Sequence, residues 1–472
     1  MSGPATASWP LTAPQKGMWS GQQLDPSSSA FWTAEAIELD GELDRAALER
    51  AIVETLNACD ALHMRYAADA DGEVRQAPAA RAVALPWVDL SDPDERGGEA
   101  SIDHAWQRAR DWMAVDLRAP AELGAGPLFA TALIGLGPQR HLWFLRAHHI
   151  ALDGFAYLLL IHRVAQCYSA LRHGRPLPPA RDWSLRSVID EDRSYAQSPA
   201  CERDRAFWRE WLAQAPPPVS LAAPRPPADR ARSQQCRLPL ASYRQWQVAA
   251  RECGVDWSAW LLAAIAAWLH ARSGAREVCL GLLVMNRLGS AALTVPCMAM
   301  NVVPLQVRVE PTMAFAELAR AVAAAQQRLR PHRRYNYERL RADAGLGDSE
   351  RQLYGPVVNL MPFDRGFVFE GLHSRAHPVS VGAVDDLDIT VSPLPDGLRL
   401  DIEANPHAYP AAALHAHAGA LLAVIGAAQL QPRASVTQLV ESAGAVSPTV
   451  AAARDPAGDD ALAPALPVGA TA

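Results

Sequence analysis

The chain has 472 residues, of which 50% are hydrophobic and 20% charged, with a formal net charge of −7. This composition is typical of a globular protein long enough for two or three domains, and it gives no reason to expect a nucleic acid or a membrane as a partner. The seven cysteines show no metal-ligand spacing and no leader peptide is visible, so we expect a cytoplasmic protein without a metal.

The first part of the chain alternates strand and helix patterns. Strands are predicted at 34–39, 128–134 and 141–147 from their apolar residues, and a helix is predicted to begin at Asp44. The pair Asp71-Gly72 predicts a hairpin turn. This alternation indicates an α/β sandwich lobe.

A Pro-rich stretch at 174–179 predicts a lobe boundary, after which the alternation resumes. The predicted elements there are a helix at 256–272 capped by Asp256 and stopped by Gly274, a strand at 278–284, a helix at 315–329, strands near Val357, Ile389 and Leu400, a hairpin at Asp396-Gly397, and a helix at 410–429. From 442 the composition changes to Ala, Pro, Gly, Val and Asp, which predicts disorder. We therefore divide the chain into lobes 1–179 and 180–441 and a tail 442–472.

One short loop, between the strand at 141–147 and a predicted helix at 155–168, carries His148, His149, Asp153 and Gly154. Histidine carries a mobile proton near neutral pH, and such a loop can aim side chains into a cleft. The structural interpretation is equally open at this point, because two histidines after an apolar strand can be buried and Asp153 can simply cap the helix.

The segment 146–154 resembles the HHxxxDG signature of condensation domains of nonribosomal peptide synthetases at every fixed position. Seven segments look, in the family's order, like its core motifs: 11–19, 60–66, 147–154, 184–208, 300–305, 332–338 and 354–359. Each motif except the third is weak alone, but the ordered set is specific. Within the family, 11–19 and 287–293 look most similar to the serine-module condensation domain of enterobactin synthetase, and a vibriobactin-type free-standing amide synthase is a second relative.

The resemblance implies an α/β fold of two chloramphenicol-acetyltransferase-like lobes that form a V-shaped pseudo-dimer with a central tunnel. It would make part of 281–299 a floor loop and place a latch between 360 and 384 that crosses to the first lobe. The implied activity is that of an amide-forming acyltransferase, in which an acceptor amine attacks a donor acyl thioester. Donor and acceptor carrier proteins are then the partners, and their phosphopantetheine arms bring the substrates, so no bound cofactor is expected.

The resemblance also assigns roles to residues of the loop. It implies that His149 faces the tunnel, where it positions the amine and removes its proton, and that His148 anchors the loop. Asp153 is expected to pair with Arg287 of the second lobe. Gly154 is expected to leave room for the acyl arm.

Other positions of the motifs are expected to support the site. The resemblance places Asn359 on the acceptor side, and Asn301 belongs to the fifth motif, which departs from the commoner form. The second motif carries His63 where the family usually has arginine, so that a cation is missing near the loop unless Arg65 replaces it.

Three functional questions stay open in the sequence. If the chain is complete, as we expect, the carriers act in trans or the acceptor is a free amine. The donor and acceptor are not identified, although an aryl or other acyl-cap donor is favoured. The alternatives to a condensation domain are an acyl-CoA-dependent acyltransferase, whose DFGWG segment matches 363–367 poorly, and a non-catalytic recruitment module, which usually lacks the second histidine.

Overall fold

The computed structural model describes residues 8–79, 82–91, 99–226, 228–346, 352–361, 366–394 and 396–445. The elements of the first part of the chain are β1 (Trp9–Pro10), α1 (Ala13–Leu24), β2 (Trp32–Asp40), α2 (Arg45–Asn57), β3 (Met64–Ala68), β4 (Val74–Pro78), β5 (Trp87–Asp89), α3 (Glu99–Asp116), β6 (Phe129–Gly137), β7 (Arg140–His148) and α4 (Gly154–Arg172).

The second part of the chain begins with two helices and continues as a mixed α/β unit. Its elements are α5 (Arg186–Ala196), α6 (Pro199–Leu212), β8 (Arg232–Pro239), α7 (Leu240–Glu252), α8 (Trp257–Ser273), β9 (Glu277–Val284), β10 (Asn301–Arg308), α9 (Phe315–Leu329), α10 (Tyr337–Asp343), β11 (Val357–Leu360), β12 (His373–Val381), β13 (Leu387–Leu394), β14 (Gly397–Ala404), α11 (Ala411–Leu430) and α12 (Val436–Ala445).

The first lobe is built on a five-stranded sheet in the order β12-β2-β7-β6-β5, with a small separate sheet β1-β4-β3. Helices α2 and α4 bury their apolar residues against one face of the larger sheet, where Ile37 and Trp143 lie. Helix α3 packs on the opposite face, where Met113 meets Phe144 in a second apolar cluster. The strand β7 is therefore central and buried on both faces, which fixes where the loop after it begins.

The second lobe contains a six-stranded sheet in the order β10-β9-β11-β13-β14-β8. Helices α7, α8, α9, α11 and α12 cover one face of it in a single hydrophobic cluster. Helix α8 is apolar on all sides and its residues 259–269 are buried, as expected for a helix in the middle of a layer. All helices named here lie on the same face of the sheet.

Strand β12 connects the two lobes, because it leaves the second part of the chain and pairs antiparallel with β2 at the edge of the first lobe's sheet. The register aligns Ala376 with Ile37 and Val381 with Thr33. Strand β12 lies within the range 360–384 in which the latch is predicted.

Local signals in the sequence located most element ends. Asp44 and Asp256 accept hydrogen bonds from the helices that they cap, and Gly274 ends α8 in the left-handed region with φ +74. The strands β3 and β4 pair around the predicted turn at Asp71-Gly72. These signals are local hydrogen-bonding and backbone preferences, which tertiary packing did not override.

The start of the predicted tail at 442 differs from the structure. Helix α12 continues to Ala445, and its residues Val436 and Leu439 are fully buried against the second lobe. The tail was predicted from the composition after 442, whereas the fully buried apolar residues of this amphipathic helix lie before 442. The composition therefore did not indicate that the helix continues to Ala445. Residues 446–472, the rest of the predicted tail, lie outside the described residues.

Helix α11 is long and apolar enough to cross a membrane by length and composition, the single such helix among the described residues. Half of its apolar window is buried inside the protein, and Leu421 and Ile425 belong to the second lobe's core. Packing of this helix against α7 and α8 accounts for its apolar sequence.

Candidate active site

The loop between β7 and α4 begins at His148 and ends at Gly154, and it is held by atoms from both lobes. Its apolar residues Ile150, Ala151 and Leu152 are fully buried in the first lobe's core. The burial of these three side chains fixes the loop's path between His149 and Asp153.

His148 is completely buried, and both of its ring nitrogens are used inside the protein. Nδ1 accepts the backbone N–H of Ile150 at 3.1 Å, so Nε2 carries the proton and donates it to Gln22 Oε1 at 2.9 Å. Burial lowers the pKa of His148 to about 3, which keeps the ring neutral. His148 therefore anchors the loop to α1 and has no free atom for a substrate.

His149 differs from its neighbour because one side of its ring is partly exposed. Nδ1 lies 2.8 Å from the carbonyl oxygen of Leu152, which can only accept, so Nδ1 carries the proton and Nε2 holds the free lone pair. No described residue forms a hydrogen bond with Nε2. Desolvation lowers the pKa of His149, although the hydrogen bond to Leu152 and the charge of Asp153 oppose this. The ring is thus a neutral base with its accepting nitrogen available.

The carboxylate of Asp153 makes four hydrogen bonds, all to the protein. Oδ1 accepts the N–H of Ala156 at 3.0 Å, as a helix cap, and Nη2 of Arg287 at 2.7 Å. Oδ2 accepts the backbone N–H groups of Ala299 and Met300 at 3.0 and 3.1 Å. Asp153 is therefore both the cap of the helix and the partner of Arg287. Neither role directs its carboxylate at a substrate.

Arg287 is fully buried and ties together the segment 285–299, which we call the floor loop. Its guanidinium donates to the carbonyl oxygens of Ala292, Val295 and Cys297, in addition to Asp153. One cation thus closes the floor loop on itself and holds it to the histidine loop of the other lobe. Such charge-assisted bonds fix geometry more than they add net stability.

Gly154 has open space beside it. A methyl group built at its Cα would have Met361 Cε as its nearest neighbour, at 3.8 Å, which is an ordinary contact. Neither the backbone nor packing therefore requires glycine here. The expectation that Gly154 leaves room for the acyl arm stays a prediction.

Gly382, immediately after β12, forms part of the wall around His149. Its φ is +96, and a Cβ there would lie 3.2 Å from His149 Cδ2 and 3.4 Å from Thr33 Cγ2. The crossing strand therefore brings its end against the catalytic candidate. Sequence analysis missed this residue, because its contact depends on a strand pairing between distant parts of the chain.

Helix α1 also supports the histidine loop, and the sequence analysis missed this contact. Thr12 and Gln15 form a capping box, with the Thr12 N–H donating to Gln15 Oε1 at 3.0 Å. The amide nitrogen of Gln15 donates to the hydroxyl of Tyr66 at 3.2 Å and reaches the Ile150 carbonyl at 3.5 Å. The Thr-x-x-Gln spacing at 12–15 is a signal that could have identified this helix start.

Three of the supporting residues proposed from the motifs form no hydrogen bond with the histidine loop. His63 Nε2 is 3.0 Å from the carbonyl of Leu56, at the end of α2, and Arg65 is exposed on β3. Neither forms a hydrogen bond with the histidine loop, so no cation from the second motif replaces the family's arginine there. Asn301 is also structural, as all its polar atoms join β10 to the segment 333–337.

The acceptor-side role expected of Asn359 stays a prediction. Asn359 is half-buried on β11, and its amide makes no hydrogen bond with any described residue. Among the described ranges, no three His, Cys, Asp or Glu side chains are grouped to hold a metal ion. The site as described consists of one available imidazole, one open glycine position and an unpaired amide.

Two α/β lobes joined by a crossing strand, with a neutral histidine held between them, define an acyltransferase-type enzyme. The chain belongs to the condensation-domain family, whose profile matches residues 6–443.

Relatives of known sequence agree with this assignment. The chain is 37% identical over 420 residues to a dimodular nonribosomal peptide synthase of Bacillus subtilis (strain 168), covering 88% of this chain and 17% of the relative. It is 38% identical to an isonitrile lipopeptide synthase of Streptomyces coeruleorubidus, covering 93% of this chain and 30% of the relative. It is 33% identical to enterobactin synthase component F of Escherichia coli (strain K12), with 88% and 32% covered. The chain thus spans less than a third of the length of each.

Solved structures agree as well. The first condensation domain of the calcium-dependent antibiotic synthetase, in complex with a substrate analogue, has a TM-score of 0.83 and 30% identity and covers 92% of this chain. A starter condensation domain of rhizomide synthetase in complex with C8-CoA has a TM-score of 0.83 and 29% identity and covers 91%. The predicted fold class and family are confirmed, and with them the general function of amide bond formation in nonribosomal peptide assembly.

Proposed function

We propose that this domain joins an acyl group, held as a thioester on the phosphopantetheine arm of a donor carrier protein, to the amine of an acceptor. The acceptor is an aminoacyl group on a second carrier or a free amine. Family membership and the synthetase relatives support carrier proteins as partners. We further propose that the arms reach His149 through a tunnel between the lobes, and that the protein works in the cytoplasm.

The chemistry follows from the state of the His149 ring. An α-amine has a reference pKa of about 8, so part of it is neutral at cytoplasmic pH and can attack the thioester carbonyl carbon. The nitrogen becomes cationic in the tetrahedral intermediate, and Nε2 of His149 accepts its proton. The carbon–sulfur bond then breaks and the thiolate leaves, taking a proton back from the imidazolium. The products are an amide and a free pantetheine thiol.

The observation that carries this proposal is the hydrogen bond from His149 Nδ1 to the carbonyl of Leu152 at 2.8 Å. It fixes the tautomer with a free lone pair on Nε2, on the exposed side of the ring. A residue that only filled space would not need this arrangement.

The proposal is tested by mass-spectrometric detection of the amide product with loaded carriers. General-base assistance contributes about 10²–10⁴-fold to a rate, so His149→Ala should reduce turnover by that factor without a change in the unfolding midpoint. A reduction of only a few fold would support positioning of the amine over proton removal. Equal turnover of the two proteins would reject His149 as the catalytic residue.

A second candidate is transfer from acyl-CoA, which is favoured by one observation: the rhizomide starter condensation domain was crystallised with C8-CoA. The segment 363–367 compared with the DFGWG motif lies mainly outside the described residues. Offering the same acyl group on CoA and on a carrier, with one acceptor, separates the two donors by their kcat/KM.

A non-catalytic recruitment role is the remaining alternative. The intact His149, with its available nitrogen, argues against it. Carrier binding without any product, from both wild type and His149→Ala, would favour this role.

A further inference from the structure

The sheet of the second lobe has one apolar and one polar face. On β13 and β14, the alternate residues Leu387, Ile389, Leu400 and Ile402 lie in the hydrophobic core beneath the helices. Because successive side chains of a strand point to opposite faces, the residues between them point to the face without helices. That face, which we call the inner polar face, carries Asn359, Asp388, Thr390, Ser392 and Glu403.

The register of the strands makes these five residues neighbours. Asn359 of β11 aligns with Thr390 of β13, and Asp388 of β13 aligns with Glu403 of β14. Adjacent strands are about 4.8 Å apart, and residues two apart on one strand are about 7 Å apart. The inner polar face is therefore one continuous patch and not a set of scattered positions.

None of the five side chains forms a hydrogen bond or an ion pair with another described residue. Ser392 is 1% exposed and Glu403 is 6% exposed, and Ser392 Oγ and Glu403 Oε2 are buried without a partner. A buried polar group without a hydrogen bond destabilises the folded protein. Several such groups on one face indicate that a polar ligand completes their hydrogen bonding.

Two other charged residues on the same face form an ion pair, but Arg399 Nε is also buried without a hydrogen bond. Arg399 and Asp401 form an ion pair at 2.7 Å, and Gln235 donates to Asp401 at 3.1 Å. The cation of Arg399 is thus already matched. Asp388 and Glu403 therefore face each other without a hydrogen-bonded counter-ion among the described residues, although the charge of Arg399 acts on Glu403.

The inner polar face begins beside the histidine loop. Met361 follows Asn359 on the same side of β11, and its Cε is the atom nearest to the position of a Cβ on Gly154, at 3.8 Å. The rise of a strand places Asn359 about 7 Å from Met361 along the sheet. Asp388 and Glu403 lie about 13 Å from Met361 in the same direction. A substrate at the histidine would extend along this patch.

The charge of the patch defines the ligand. Like charges directly opposite each other on a sheet are destabilising, and burial raises the pKa of Asp388 to about 8 and also raises that of Glu403. A cation between the two carboxylates would remove both the repulsion and the desolvation cost. A purely apolar chain would leave all five polar groups unsatisfied.

We propose that the inner polar face binds the non-reacting end of the acceptor and selects acceptors with a second cationic group, an ammonium or guanidinium held by Asp388 and Glu403. This inference rests on the proposed amide-forming function. The cation can belong to a basic aminoacyl group on a carrier or to a free diamine. Both sources present the same chemistry to the carboxylates.

The first experiment compares pairs of acceptors that differ only in the second charge. Lysyl-carrier against norleucyl-carrier tests the carrier-bound source, and putrescine against butylamine tests the free source. We expect wild type to prefer the cationic member of one pair by about ten- to a hundredfold in kcat/KM, the range expected when a buried charged group is matched or left unmatched. The preferred pair identifies the source.

The variants Glu403→Gln and Asp388→Asn should each reduce this preference by tenfold or more. The matched control is Glu277→Gln on β9 of the same sheet, whose carboxylate is already paired with Arg308 and accepts a hydrogen bond from Gln306. Its preference should equal that of wild type. An equal kcat/KM for charged and neutral acceptors in wild type, for both pairs, would overturn the inference.

Calorimetric binding of lysine amide and norleucine amide provides a readout that does not depend on turnover. Wild type should bind lysine amide more tightly, and Glu403→Gln should bind the two equally. If no acceptor is condensed but this difference in binding is present, the proposed function fails and the cation site stands. If amide product forms but neither rate nor binding distinguishes the two ligands, the cation site fails alone.

Discussion

Asp153 and Arg287, which are 134 residues apart in the chain, form a buried ion pair with 2.7 Å between Oδ1 and Nη2. Asp153 lies at the start of α4 in the first lobe, and Arg287 lies in the floor loop of the second. The contact therefore makes the geometry of the histidine loop depend on how the lobes are joined.

Removing one partner of this pair should destabilise the protein. Asp153→Ala leaves the guanidinium of Arg287 buried without its counter-ion, which typically costs about 3–5 kcal/mol. Urea denaturation measures the loss of unfolding free energy. The control is Glu49→Ala, whose exposed pair with Arg45 should contribute less than about 1 kcal/mol. Equal losses for the two variants would contradict a special role for the buried pair.

His149 should titrate below the ordinary histidine range, because desolvation lowers its pKa from a reference value of about 6.5. The neutral, proton-accepting form then persists as the pH falls through 6.5 and is lost only at lower pH. Isotope-edited NMR of the imidazole, with His149→Gln to assign the signal, measures this midpoint directly. A midpoint at or above 6.5 would show that the loop stabilises the imidazolium instead.

Gly154→Ala should separate folding from substrate passage. The new methyl group meets only Met361, at 3.8 Å, so the unfolding midpoint should stay the same or rise slightly, since alanine favours a helix. Turnover with carrier-bound donors should fall at least tenfold if the acyl arm passes there. Gly426→Ala in α11, where a Cβ would have no neighbour within 4 Å, is the matched control and should retain full activity. Full activity of Gly154→Ala would place the acyl arm elsewhere.

Gly382→Ala should impair turnover by displacing the His149 ring, because the new Cβ would lie 3.2 Å from Cδ2. Its positive φ also adds backbone strain of about 1–2 kcal/mol. Gly274→Ala imposes the same kind of strain at φ +74 at the end of α8, where nothing lies within 4 Å. The two variants should lose similar stability, measured by urea denaturation, and only Gly382→Ala should lose activity. Parallel losses of activity would attribute the effect to strain alone.

The sequence alone determined those features that depend on neighbours in the chain. The caps at Asp44 and Asp256, the stop at Gly274 and the hairpin at Asp71-Gly72 follow from local hydrogen bonds and backbone preferences, so short-range signals were sufficient. The ordered motifs also identified the family, and with it the fold and the pairing of Asp153 with Arg287.

The tertiary structure decided which candidate residues meet. His63 and Asn301 belong to motifs but bond to other partners, and Arg65 is exposed on β3. Gly382 and the residues of the inner polar face other than Asn359 belong to no motif that was recognised. Their positions depend on strand pairings such as β12 with β2 and β13 with β14. Those pairings depend on which distant strands align, and no local pattern of residues encodes that alignment.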